Sequence, residues 1–63
     1  MKYEQEIKQL TAEIVTKTLA EQEISAGVWI TNKLSNLTKI YGESDAQYIV
    51  DTAIAIAMKI TGE

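Results

Sequence analysis

Wound as an α-helix at about 100° per residue, the segment from Ser44 to Ile60 spreads its apolar side chains over an arc of roughly 200°. That arc holds Ala46, Ile49, Val50, Ala53, Ile54, Ile56, Ala57, Met58 and Ile60. Asp51, Thr52, Lys59, Gln47 and Tyr48 are left for water. A surface helix ordinarily shows an apolar stripe nearer 100° wide, so this helix requires cover from two sides. In a chain of 63 residues, part of that cover is expected from a second copy.

The same length allows a single domain, 1–63, close to the lower limit at which a chain buries enough surface to fold alone. Disulfides, metals and oligomerisation are the usual aids. Cysteine and histidine are both absent, which removes disulfides, thiolate metal sites, the commonest metal ligand and the commonest general base. Oligomerisation is the aid that is left. The chain opens Met1-Lys2-Tyr3-Glu4-Gln5-Glu6 with no apolar export core behind the lysine. The C-terminal apolar run is broken by Asp51 and Thr52 and is too short for a bilayer. These features predict a cytoplasmic protein with no membrane partner.

Net charge is −3, which suits solubility and opposes non-specific nucleic-acid binding, since that rests on neutralising phosphates. Residues 26–42 carry Lys33 and Lys39 and no acid, an excess too small to make a basic patch.

Proline is absent, and Gly27, Gly42 and Gly62 are the only punctuation. In the first segment, about Lys2 to Glu23, Tyr3, Ile7, Leu10 and Ile14 keep helical spacing on one face, and Val15 and Leu19 continue it on an adjacent stripe. Glu4–Lys8 and Glu13–Lys17 have the favourable i,i+4 orientation. In the second segment Ile30, Leu34, Leu37 and Tyr41 line one helical face. A helix running back through Gly27 would push Val28 outward among Ser35 and Lys39. Either Ser25 caps a helix starting at Ala26, or residues 25–29 form a bend or short extended piece with the helix starting near Ile30; in both cases the expectation is a break near Ser25–Gly27. Gly42 suits the left-handed position past a helix end. Ser44 with Gln47 three residues on makes a capping-box pattern, so the third helix is expected to begin near Asp45. Gly62 ends it by the same logic as Gly42.

Chemistry-bearing constellations are scarce. Glu4 and Glu6 diverge on a helix, as do Glu21 and Glu23, and Asp51 and Lys59 lie two turns apart on a polar side. Neither a Gly-rich phosphate loop nor an Asp-rich calcium loop occurs. No catalytic, cofactor-binding or metal-ligating residue is assigned, and no enzymatic activity is expected. Trp29 has two readings: a plug between the first two helices, or an interface anchor, a role in which tryptophan is enriched. Tyr48, among the polar residues of the third helix, is a lone exposed aromatic or a partner contact. Val50, Ile54 and Met58, on one flank of the apolar arc, form the expected dimer seam.

Leu34-x-x-Leu37, Gly42-x-Ser44, Ile49 and Ala53-Ile54 together resemble the two-helix half of ribbon-helix-helix repressors. In that family a helix, a Gly-x-Ser turn and a second helix build an intertwined dimer. The resemblance covers about a third of the chain, and the Ala-Ile pair falls one residue late after the glycine. It implies a DNA-reading strand just upstream, where this chain has the acidic stretch 20–27, without the lysines or arginines that phosphate and base contacts need.

The expected fold is thus all-α, a three-helix chain with a C-terminal helical hairpin that assembles as a homodimeric helical bundle. The expected function is non-enzymatic protein interaction, as an adaptor, inhibitor or regulator. Its partners are a second copy and another protein. The alternative is a small dimeric DNA-binding regulator that uses a Lys33/Lys39 face or a segment before the second helix.

Overall fold

The computed structural model describes the backbone of residues 2–19 and 23–62, and the side chains of residues 2–17 and 28–62. Three helices make up the described chain: α1 (Glu4–Leu19), α2 (Glu23–Tyr41) and α3 (Glu43–Thr61). No strand occurs among the described residues. The expected passage of the first helix through 20–22 lies outside them, as does the side chain of Leu19.

Chain direction follows from which residues meet. Tyr3 stacks edge-on against Tyr41 with ring centroids 4.9 Å apart. Lys33 Nζ lies 3.7 Å from Glu13 Oε2, and Lys17 Nζ lies 5.1 Å from the centre of the Trp29 ring. Advancing along α1 thus means retreating along α2, and the two run antiparallel. Along α3 the order is the reverse: Tyr3 meets Asp45 near the start of both helices, and Val15 shares a groove with Ile56 and Ile60 near their ends. So α1 and α3 are parallel, and α2 runs antiparallel to both. α3 packs on both other helices, whereas α1 and α2 touch least.

The expected hairpin is present, but its turn is tighter than the capping pattern implies. One residue, Gly42, separates α2 from α3. Its amide donates to the Thr38 carbonyl at 3.0 Å, and its carbonyl accepts the Ala46 amide at 3.0 Å. It therefore closes one helix and opens the next. Its φ of 93° and ψ of 162° fall in a region that is essentially glycine-only, rather than in the left-handed helical well. The capping box does not form: α3 starts at Glu43, and no side chain caps it. Ser44 lies inside the first turn, exposed, and Gln47 Nε2 donates to Asp51 Oδ1 at 2.8 Å. A single glycine that reverses the chain leaves Ser44 no amides ahead of it to cap. Gly62, at φ 80° and ψ 17°, ends α3 as expected, its amide bonded to the Met58 carbonyl.

The expected break near Ser25–Gly27 is likewise absent, because α2 runs unbroken from Glu23. Val28 is 65% exposed, the outward position that speaks for a break. A lone exposed valine is common on folded surfaces, and glycine inside a helix costs only about 1 kcal/mol relative to alanine. Continued main-chain hydrogen bonding outweighs both.

Ile7 and Leu10 from α1, Leu37 from α2, and Ala46, Ile49, Val50 and Ala53 from α3 make the core. The wide arc of α3 is covered from two sides, as expected, but by α1 and α2 of the same chain. That cover gives out toward the C-terminus, where Met58 is 47% and Ile60 62% exposed.

Candidate interaction surfaces

The polar contacts between helices concentrate at one end of the bundle. Tyr3 Oη donates to Asp45 Oδ2 at 2.6 Å, and Tyr41 Oη donates to Glu6 Oε1 at 3.2 Å. Lys2 Nζ lies 3.6 Å from the same Asp45 oxygen and 5.2 Å from the Tyr3 ring centre. The hydrogen bond to Asp45, then partial burial, then the carboxylate charge push the Tyr3 phenol up to about 12. In return the Tyr3 hydroxyl, assisted by Lys2, holds the Asp45 carboxyl below its ordinary value against the opposing effect of desolvation. Desolvation, then the charge of Glu6, also raises the Tyr41 phenol. Tyr3 adopts φ 60°, rare for a bulky side chain. Its carbonyl still accepts the first i→i−4 hydrogen bond of α1, donated by the Ile7 amide at 2.9 Å. A residue keeps such a conformation only where its surroundings impose it, and here the Asp45 bond and the Tyr41 ring do so.

Titratable groups elsewhere pair both within a helix and between helices. Glu4 and Lys8 form the expected i,i+4 pair at 3.3 Å. Glu13 and Lys17 instead take partners on α2: Glu13 pairs with Lys33 and Lys17 covers the Trp29 ring. The Lys33–Glu13 separation exceeds hydrogen-bond reach, and buried Glu13 Oε2 has no hydrogen-bond partner. Among the described residues no cluster of three or more acidic, cysteine or histidine side chains is arranged for a metal ion. No described helix is long and apolar enough to cross a membrane.

The sequence-derived interface residues do not share one patch. Trp29 is half-buried and packs against the core edge beneath Lys17, at the α1–α2 junction. Tyr48 is 42% exposed on the outer side of α3. Val50 is only 2% exposed, already covered by its own chain, and Ile54 is partly buried against the core. Of that seam, Met58 is the member open to solvent. The two lysines of the proposed basic face also separate, Lys33 toward Glu13 and Lys39 into a shallow furrow shared with Glu43 and Gln47.

An apolar groove of about 620 Å³ between α1 and the C-terminal half of α3 is the surface that sequence reasoning missed. Ile7, Thr11 and Val15 line it from α1, and Ile56 and Ile60 from α3. Thr11 is buried there, with its hydroxyl donating to the Ile7 carbonyl at 2.7 Å, so it offers the groove a methyl group. Glu4 and Lys8 sit at the end nearest the start of both helices. The adjacent stripe of Val15 is the available signal. It lies off the main face of α1, and a helix with two apolar stripes has one more face than a single neighbour covers. No protein-family model, curated protein or solved structure matches this chain.

Proposed function

We propose that this chain is a non-enzymatic helical protein-interaction protein that acts as a homo-oligomer. The observation that carries the reading is the open apolar groove between α1 and α3, continuous with the exposed Ile60. Apolar concavities on a small polar surface are typical of protein-binding sites. The core supports the same reading from the other side. Its largest fully buried side chains are Ile7, Leu10 and Ile49, little for a domain without a cysteine to form a disulfide. Asp45, Glu6 and Glu13 each meet a tyrosine or lysine from another part of the bundle, which favours structural over catalytic roles for them.

Sedimentation equilibrium across the micromolar range tests the reading. A dimer or higher oligomer is expected, and a monomer at every concentration refutes it. The DNA-regulator alternative draws no support from the arrangement of Lys33 and Lys39, which face different neighbours. Backbone 23–27, where the repressor resemblance calls for a strand, is helical. Salt-reversible retention on heparin would favour that alternative, and flow-through is expected.

A further inference from the structure

We infer that the α1–α3 groove is the self-association face, occupied by the same face of a second copy in a two-fold, antiparallel arrangement. This rests on the homo-oligomer reading and specifies its surface, which differs from the Val50/Ile54/Met58 flank. Three observations select a second copy. The first is shape. One face carries both a groove floored by Ile7 and Val15 and a projecting side chain, Ile60, 62% exposed at its far end. An isologous contact requires such self-complementarity, and a two-fold axis across the helices places each Ile60 over the other copy's groove.

The second is charge. Because α1 and α3 are parallel, their positive N-terminal ends lie together and their dipoles add. Glu4, paired with Lys8 at 3.3 Å, stands at that end of the groove, and Lys59 lies in the last turn of α3 at the opposite end. An antiparallel copy opposes the dipoles and brings Glu4 of each chain toward Lys59 of the other. A parallel copy would align like ends.

The third is area. A standard interface buries about 800 Å² per partner, roughly a fifth of the 4369 Å² surface and more than the groove alone offers. Tyr48, Thr52, Ile56 and Ile60 are spaced four residues apart, so they form one stripe leading from the outer side of α3 into the groove. The 42% exposed Tyr48 extends the apolar face in that direction. The face thus has both the concave and the flat parts a dimer needs.

Sedimentation equilibrium of the native chain and two exposed-site variants tests this, with circular dichroism verifying that each variant is folded. Ile60→Lys should weaken dimerisation by roughly tenfold or more, whereas Met58→Lys, on the α2 side of α3, should leave it unchanged. Lys59→Glu should also weaken it, and adding Glu4→Lys should restore it. A dimer indifferent to Ile60→Lys, or one broken by Met58→Lys alone, overturns the assignment of this face while leaving the homo-oligomer reading intact. A native chain that never dimerises overturns both.

Discussion

Ile49→Ala removes one of the three largest fully buried side chains in the molecule, and its cost can be worked from the packing. The substitution deletes three carbon atoms, about 2.4 kcal/mol of lost transfer free energy at about 0.8 kcal/mol each. The cavity left behind raises the total to about 2–5 kcal/mol, the upper end applying where the surroundings cannot collapse. Collapse is poor here. The neighbours one turn away along α3 are Ala46 and Ala53, both fully buried, whose methyl groups cannot swing into the gap. A domain of 63 residues has a total stability of about 3–9 kcal/mol, so this variant should be largely unfolded or melt far below the native chain. Thermal and urea unfolding followed by far-UV circular dichroism, at one fixed chain concentration because association adds stability, measures the loss. Ile49→Val provides a graded control at about 0.5–1.5 kcal/mol. Ile56→Ala should cost less than Ile49→Ala, because Ile56 only borders the core. Native-like melting of Ile49→Ala, or a larger loss at Ile56, would refute the placement of the core.

Gly42→Ala should destabilise by about 1–3 kcal/mol through backbone strain alone, since a Cβ there meets nothing within 4 Å; a shift in urea midpoint with unchanged helicity is the expected readout. Tyr3→Phe should lower the melting temperature at neutral pH by deleting the bond to Asp45. Asp45 titrates below its ordinary 3.8 when folded, so its share of this stability is present above that value and lost as acid protonates it. Tyr3 is raised from 10.0 to about 12, so its share is full below 10 and lost as pH climbs toward 12. The gap between native and Tyr3→Phe melting temperatures should therefore close at both extremes; a pH-independent gap would contradict the bond. Lys17→Ala should uncover the half-buried Trp29 ring, seen as greater acrylamide quenching of the chain's single tryptophan, and equal quenching would argue against that contact.

Features governed by a few consecutive residues are legible in the order of the amino acids. Tyr3, Ile7, Leu10 and Ile14 announce α1 because 3.6-residue periodicity is a property of the chain itself. Gly42 and Gly62 mark helix ends because positive φ excludes most other residues, and both glycines show it. Expectation and fold part where two local preferences compete. At Gly27–Val28 the penalty for glycine in a helix yields to continued hydrogen bonding, and at Ser44 a good cap is displaced by a glycine able to reverse the chain in one residue.

Composition and periodicity by themselves determined that this protein is all-helical, that its third helix needs cover on two flanks, and that no histidine or cysteine chemistry is open to it. Tertiary structure alone decided who supplies that cover, since burial depends on which helices become neighbours and where each one stops. It closed Val50 inside the chain and left Ile60 open beside a groove. It also joined Tyr3 to Asp45, whose 42-residue separation leaves no periodic trace in sequence. Lys17 and Glu13 illustrate the same division: their spacing suits a local pair, but each reaches across to α2, where a ring face and an opposing charge were brought within range only by folding.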